Sequence, residues 1–218
     1  MLSRNYLFLF IFFLLAAACK KHSITYKTLT LQPTDNPTEY DIIQLGDSDQ
    51  ADQSGPTTAS IQAFAWTKNS ATYLDRGLLE FDLSTIPSSA VIDSAFLYLY
   101  SNPSPITGDM INANSGSDNS FVLQQVTSQW STSTVSWANQ PSTSSSNQIV
   151  VASTTLPQLD LNLDVASMIS SMVKNKANYG FLLKLQNEVV YTSRIFVGSR
   201  NTAYPDKHPK LEIWYHIN

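Results

Sequence analysis

The feature that most constrains this 218-residue sequence is a pair of alternating runs in residues 74–100, joined by a corner that contains Pro87. The second run alternates aliphatic with aromatic residues, in the order Ala95, Phe96, Leu97, Tyr98, Leu99 and Tyr100. Successive side chains of a β-strand point to opposite faces, so this run predicts a strand that is covered on both faces. Proline cannot donate to a sheet ladder and ends the first run. The stretch therefore predicts a hairpin of two strands.

Length and charge narrow the class of protein further. A chain of 218 residues with 43% hydrophobic composition can bury one good core, and β-sandwiches of this size commonly form a single domain. The net charge of −4 is unlike the basic balance of nucleic-acid-binding proteins, and no motif for DNA or RNA binding is present. We therefore expect no nucleic-acid partner.

Residues 74–100 also resemble the core signature of the DNRLRE domain family, through Arg76, Leu79, Phe-Asp-Leu-Ser at 81–84 and Ile-Pro at 86–87. Three further blocks follow in the family's order: Trp130-Ser131-x-x-Thr134-Val135-Ser136-Trp137-x-Asn139-x-Pro141, Asn-Tyr-Gly-Phe-Leu-Leu at 178–183, and Pro209-x-Leu211-x-Ile213-x-Tyr215. The resemblance implies a β-sandwich of the kind grouped with carbohydrate-binding modules, often attached to secreted or surface proteins. It also places Trp130 and Trp137 in the structural framework.

The pattern of the whole chain predicts an all-β fold, an antiparallel β-sandwich (jelly-roll-like) with one short α-helix. Besides residues 74–100, strands are predicted at residues 24–31, 41–45, 60–67, 121–126, 149–152, 181–186, 191–197 and 211–217. Residues 102–119 and 142–146 are predicted as loops. The helix is predicted over residues 164–175, with Asp164 as N-cap and a stripe of apolar residues at helical spacing. These are Val165, Met168, Ile169, Met172 and Val173.

The N-terminus predicts a secreted, lipid-anchored protein. Arg4 precedes a run of thirteen apolar residues, which is too short to span a bilayer of ~30 Å at 1.5 Å per residue. Residues 1–18 fit a signal peptide. Three alanines directly before Cys19 resemble a bacterial lipobox, which implies lipidation of Cys19 and a short tether over residues 19–23. The alternative is an ordinary secretory signal with an incidental cysteine.

Lys20 follows Cys19 where an aspartate would resemble an inner-membrane retention signal, so we expect the bacterial outer membrane. Residues 24–218 would then form one DNRLRE-like sandwich domain. Cys19 is the only cysteine of the chain, so the domain has no disulfide and must be held together by packing.

An acidic loop offers the only pattern that fits a metal ion. Asp47, Asp49 and Asp52 lie within six positions, and carboxylate oxygens suit Ca²⁺, which pins loops in many lectin-like sandwiches. The spacing is not that of an EF-hand, and a solvated turn explains the same residues. A structural Ca²⁺ and a plain turn are both open, and no cofactor is required.

Catalytic motifs are absent from the sequence. It contains no G-x-S-x-G, no H-E-x-x-H and no glycine-rich phosphate loop, and no acidic residue stands out as a glycosidase carboxylate. We therefore predict that the protein is not an enzyme.

A carbohydrate-binding surface would need an uncovered aromatic ring, and Trp214 is the best candidate because its neighbours on that strand face, Glu212 and His216, are polar. Seven basic residues between 174 and 210 are compatible with the uronate or sulfate groups of an acidic polysaccharide, and solubilisation of the outer strands explains them equally well. The predicted contact residues are Trp214, Arg194, Arg200, Lys210, Trp66 and Tyr98. Arg194 and Arg200 are included because the strand region before the last strand is expected to pair with it.

Two alternatives are open. Trp214 could instead cover a sheet edge or pack under the loop at 142–146. The protein could instead be a structural or adhesive module that docks to another envelope protein without binding sugar, which would require a broad apolar patch.

Overall fold

A computed structural model describes residues 23–32, 39–45, 53–55, 59–68, 70–105 and 112–218. The strands are β1 (Thr25–Leu31), β2 (Glu39–Leu45), β3 (Gln53–Gly55), β4 (Ser60–Lys68), β5 (Ala71–Leu79), β6 (Val91–Leu99), β7 (Asn114–Ser115), β8 (Phe121–Val126), β9 (Thr143–Val151), β10 (Leu161–Asp164), β11 (Phe181–Leu185), β12 (Thr192–Val197) and β13 (Lys210–Ile217). One α-helix, α1 (Ala166–Asn175), lies between β10 and β11.

The strands form two antiparallel sheets. The small sheet has the order β1-β13-β6-β10, and the large sheet has the order β7-β12-β4-β5-β11-β8-β9, with β2 and β3 paired beside β5. The predicted antiparallel β-sandwich with one short helix is confirmed.

The core lies between the two sheets and follows the predicted alternation. Ala95, Leu97 and Leu99 of β6 are fully buried, and Ile61, Ala63 and Ala65 of β4 meet them from the large sheet in one continuous cluster. Leu211 and Ile213 of β13 belong to the same cluster. Because the inward residues of each sheet are apolar and close-packed, burial of this layer is the main source of stability.

The helix packs its predicted stripe into this core. Val165, Met168, Ile169, Met172 and Val173 all join the main cluster. The predicted N-cap is wrong by one residue, because Val165 occupies that position and makes no side-chain cap. Asp164 still accepts a hydrogen bond from the Ala166 N–H at 3.0 Å. The helix ends at Lys176, which has a left-handed φ of 52°.

The predicted hairpin in residues 74–100 is wrong in its pairing. The corner is present, but β5 belongs to the large sheet and β6 to the small sheet, so the chain crosses the sandwich there. The outward face of β6 is also not fully covered, because Phe96 and Tyr98 are only half-buried. The corner is thus a connection between layers, and it leaves two aromatic rings on an outer face.

Three other local predictions need correction. Residues 142–146 are not a loop, because β9 begins at Thr143 and pairs with β8. The loop predicted at 102–119 contains β7, and β10 was not predicted at all. The strand region before β13 does not pair with it: β12 pairs with β4 and β7, whereas β13 pairs with β1 and β6.

Within the part of the chain that the structure describes, no helix combines the length and apolar character needed to cross a bilayer.

Candidate functional site

The outer face of the small sheet gathers three of the predicted contact residues, and we call it the Trp214 face (Phe96, Tyr98, Lys210, Glu212 and Trp214). Lys210 and Glu212 of β13 lie opposite Tyr98 and Phe96 of β6 in the strand register. Trp214 lies two residues further along β13 on the same face. Their inward neighbours Leu211, Ile213 and Tyr215 are buried, so the alternation of β13 fixes which side chains face outward.

The charged side chains of Lys210 and Glu212 contact each other and the Tyr98 ring on this face. The Lys210 Nζ lies 2.9 Å from Glu212 Oε1 and 4.2 Å from the centre of the Tyr98 ring. A hydrogen bond between Tyr98 and Glu212 raises the pKa of the tyrosine, and the bond from Lys210 lowers the pKa of Glu212. The same carboxylate raises the pKa of Lys210, so all three groups keep their ordinary charges at neutral pH. A fixed ammonium therefore sits beside a half-buried aromatic ring.

Trp214 is half-buried rather than the most exposed aromatic residue of the chain. Its ring centre lies 6.0 Å from that of Phe96, and the two rings meet edge to face. Tyr26 is more exposed, at 72%, as is Tyr191 at 55%. The alternative that Trp214 packs under residues 142–146 is wrong, because those residues belong to the large sheet. Trp214 both packs on Phe96 and presents part of its ring to solvent.

Arg194 does not belong to a surface contact, so that prediction is wrong. Its side chain is 0% exposed and lies on the same strand face as the core residue Phe196. The guanidinium carbon lies 5.2 Å from the centre of the Phe121 ring, and Nη1 donates to Asn119 Oδ1 and the Ala152 carbonyl, each at 3.3 Å. Burial lowers the pKa of Arg194 to about 10. Arg194 is a core residue.

The other two predicted residues lie away from the Trp214 face. Arg200 is exposed in the turn after β12. Trp66 lies on β4 in the large sheet, on the outer face, where it joins Phe64, Ala113, Ile195 and Tyr73 in a small cluster. The structure thus brings together Trp214, Lys210 and Tyr98, and separates them from Arg194 and Trp66.

A second group of polar and aromatic residues, which the sequence did not single out, lies beside Trp66. Tyr191 meets Trp66 edge to face with ring centres 5.0 Å apart. A cleft of about 410 Å³ opens next to this pair and is lined by Gly116, Ser117, Asp118, Asn187, Val189, Val190, Tyr191 and Thr192. We call it the Tyr191 cleft. Its residues come from two loops that no sequence motif marks.

A larger cleft, of about 670 Å³, lies between the corner after β5 and the C-terminal end of α1. Glu80 and Asp82 line it with Lys176. Burial, and secondarily the charge of Asp82, raise the pKa of Glu80, whereas hydrogen bonds from Ser84 lower the pKa of Asp82. Two carboxylates at one rim repel an acidic ligand, so this cleft fits an acidic polysaccharide poorly.

The contacts of Trp130 and Trp137 support the interpretation that both residues are structural. Trp130 donates its indole N–H to the Tyr179 carbonyl at 2.9 Å. Trp130 and Trp137 both pack on an outer cluster of the large sheet formed by Leu78, Val126, Val135 and Leu182. They cover sheet surface rather than line a cleft.

The predicted Ca²⁺ ligands Asp47, Asp49 and Asp52, and Cys19, lie outside the described residues. Among the residues that are described, no group of three or more His, Cys, Asp or Glu side chains is arranged to hold a metal ion.

Comparison with known families gives one match. The family model described as carbohydrate-binding module family 96 matches residues 47–215, which is more than half of the chain. A search of curated proteins returned no match.

Proposed function

Because the chain belongs to carbohydrate-binding module family 96, we propose that it is a non-catalytic module that binds an acidic polysaccharide on the Trp214 face. The observation that carries the proposal is the side-by-side placement of Trp214, Tyr98 and Lys210 on one solvent-facing sheet surface. Sugar rings present C–H faces that stack on aromatic planes, and an open sheet face suits an extended chain of such rings.

Lys210 supplies the preference for acidic sugars. An ammonium group has three N–H donors, and one carboxylate of the protein, that of Glu212, lies against it. The remaining donors suit a uronate carboxylate or a sulfate. Because the lysine also lies over the Tyr98 ring, a sugar that stacks beside Tyr98 brings its acidic group close to Lys210.

The alternative of protein docking without sugar has less support. A docking module needs a broad apolar patch. The exposed large hydrophobic residues of the described part are divided among several regions: Ile24, Tyr26 and Val91 at one end of the small sheet, Val150 on β9, and Leu156, Val189 and Tyr191 in loops. Capture of a specific envelope protein without any polysaccharide binding would favour that alternative.

The proposed cellular location is the one predicted from the sequence. We propose that Cys19 is lipidated and that the domain is held at the outer membrane by this anchor. The likeness of the four sequence blocks to the DNRLRE family and a structural Ca²⁺ in residues 47–52 also remain predictions.

The central test is binding to immobilised polygalacturonate, with a neutral polysaccharide as comparison. Trp214→Ala should abolish retention, whereas Trp214→Phe, which keeps a ring, should retain part of it. Because Trp214 packs on Phe96, loss of the ring should also lower stability by about 0.5–1.5 kcal/mol, so binding is measured where circular dichroism shows the variant folded.

Lys210→Met should weaken binding to polygalacturonate and leave any neutral binding unchanged. Lys174→Met is its matched control, because Lys174 is exposed on α1. If wild type and folded Trp214→Ala are retained equally on polygalacturonate, the Trp214 face is not the binding surface.

A further inference from the structure

The Tyr191 cleft lies where the loop before β8 meets the loop before β12, and none of the residues that line it belongs to the small sheet, which carries the Trp214 face. Tyr191 is the aromatic residue that lines the cleft, and the Trp66 ring supports it from behind through their edge-to-face contact. The cleft and the Trp214 face therefore share no residue and are separate surfaces.

Tyr191 is held in an unusual conformation. Its φ is +68°, which is rare for an aromatic residue, and its side chain is 55% exposed. A conformation of this kind raises the free energy of the folded state and persists where the surroundings enforce it, often at binding sites. In this backbone conformation the Tyr191 ring lies beside the cleft and is exposed to solvent.

The polar groups of the cleft are fixed and planar. Asp118 Oδ2 accepts a hydrogen bond from Asn187 Nδ2 at 2.9 Å, and Oδ1 accepts one from the Ser120 hydroxyl at 2.7 Å. These bonds lower the pKa of Asp118, with the Ser120 bond as the largest cause. The Ser120 backbone N–H also donates to Oδ1 at 3.2 Å, so three of the about four acceptor positions of the carboxylate are used and one is left for a ligand hydroxyl. Asn187 adds an amide that can both donate and accept.

We propose that the Tyr191 cleft is a second carbohydrate site, and that it takes a neutral sugar, which stacks on Tyr191 and donates hydroxyls to Asp118 and Asn187. A uronate is disfavoured there by the charge of Asp118. The cleft volume of about 410 Å³ is in the range of small-ligand sites. The inference rests on the proposed carbohydrate-binding function but concerns another surface and another class of sugar.

The test is titration of the full-length protein with cellohexaose, maltohexaose and mannohexaose, followed by amide chemical shifts and calorimetry. At least one hexaose should shift the resonances of residues 116–118 and 187–192. Tyr191→Gly should weaken that binding roughly ten- to a hundredfold, as expected for loss of an aromatic contact surface, and Tyr191→Phe should keep it. Asp118→Asn should weaken it as well.

Stability separates a binding role from a packing role. Glycine adopts positive φ without strain, so Tyr191→Gly should leave the melting temperature close to that of wild type. Tyr26→Ala is the matched control, because Tyr26 is also an exposed tyrosine but lies on the small sheet, and it should bind the hexaose normally.

The proposal is wrong if no neutral hexaose shifts the cleft resonances at millimolar concentration, or if Tyr191→Gly binds as well as wild type. It is also wrong if Tyr191→Gly melts far below wild type and Tyr191→Phe fails to bind. Retention of polygalacturonate binding through Trp214 in any of these cases would leave the proposed function intact. If the wild-type protein binds neither polygalacturonate nor any neutral hexaose, both the proposed function and the second site are wrong.

Discussion

Arg194 shows most clearly how one residue can depart from the pattern around it. Its guanidinium lies in the interior, and two of its nitrogens, Nε and Nη2, have no hydrogen-bond partner. No carboxylate of the described chain forms an ion pair with it. With a pKa of about 10 it stays protonated at neutral pH, so its burial is unfavourable.

Replacing Arg194 should therefore stabilise the domain. Arg194→Met keeps a long, flexible side chain against Phe121 and removes a buried charge with two unsatisfied nitrogens. Because a buried unsatisfied polar group costs about 1–3 kcal/mol, the free energy of unfolding should rise by about that amount. Asn119 Oδ1 still accepts the Thr154 N–H at 2.9 Å, so this amide is not left unpaired. The measurement is urea unfolding at neutral pH, with the exposed Arg200→Met as control. Destabilisation of Arg194→Met beyond that control would show that the charge has a favourable partner.

The position of the Arg194 side chain could have been predicted from the sequence, whereas that of Tyr191 could not. Arg194 and Phe196 are two positions apart, so the period of two places both side chains on the same face of the strand, toward the core. The surface position was predicted instead because Arg194 is charged. Tyr191 is the opposite case. Its exposure depends on a positive φ, and no neighbouring residue in the sequence signals that conformation.

At the scale of elements, alternation located most strands but not their partners. The strands β4, β6 and β13 carry apolar residues on every second position. The bounds of β4 and β13 were predicted to within one residue, whereas the run predicted for β6 began at Ala95 and the strand begins at Val91. β9 was largely missed because it is an edge strand of the large sheet with one solvated face, so Ser, Asn and Gln suffice there. Sheet membership of β5 and β6 depends on contacts with distant strands, which a local corner motif cannot specify.

Arg76 connects three elements of the large sheet and its loops, and one of them is the loop that contributes Asn187 and Tyr191 to the Tyr191 cleft. Its Nε and Nη2 lie 2.6 and 2.7 Å from the two carboxylate oxygens of Glu188, and Nη1 lies 2.8 Å from Gln140 Oε1. The guanidinium carbon also lies 4.3 Å from the centre of the Trp137 ring. One side chain of β5 thus holds the loop that precedes Tyr191 and the loop that carries Trp137.

Arg76→Lys should not be a conservative change. Lysine cannot form the paired bonds to Glu188 or stack its head group flat on Trp137, so the free energy of unfolding should fall by about 1–3 kcal/mol. Arg200→Lys, on an exposed turn, should stay within about 0.5 kcal/mol of wild type. Chemical denaturation followed by tryptophan fluorescence measures both. If the two variants unfold alike, the paired bonds of Arg76 contribute nothing to stability.

At the scale of the whole molecule, the proposed anchor and the sandwich meet at an edge. β1 begins at Thr25 and, among the strands that the structure describes, pairs with β13 alone, at one end of the small sheet. Five residues lie between Cys19 and Thr25, so the six steps of the chain span at most about 22 Å. A lipid on Cys19 would thus keep the Trp214 face, which shares this sheet, near the membrane surface.

This arrangement predicts that anchoring and folding are separable. Two or three acyl chains hold a protein stably at a membrane, because each buried methylene adds ~0.8 kcal/mol. Cys19→Ser should therefore move the protein from the outer-membrane fraction to the soluble fraction and abolish labelling with a fatty-acid analogue. Ser23→Ala, a change within the tether, should leave both unchanged.

The soluble Cys19→Ser protein should keep the melting temperature of the released wild-type domain and its retention on polygalacturonate. The physical reason is that the core is built from the inward faces of the two sheets and α1, and Cys19 is the only cysteine, so no disulfide is lost. Continued acyl labelling and membrane residence of Cys19→Ser would contradict the anchor. A soluble variant that no longer folds would instead show that the N-terminal segment contributes to the sandwich.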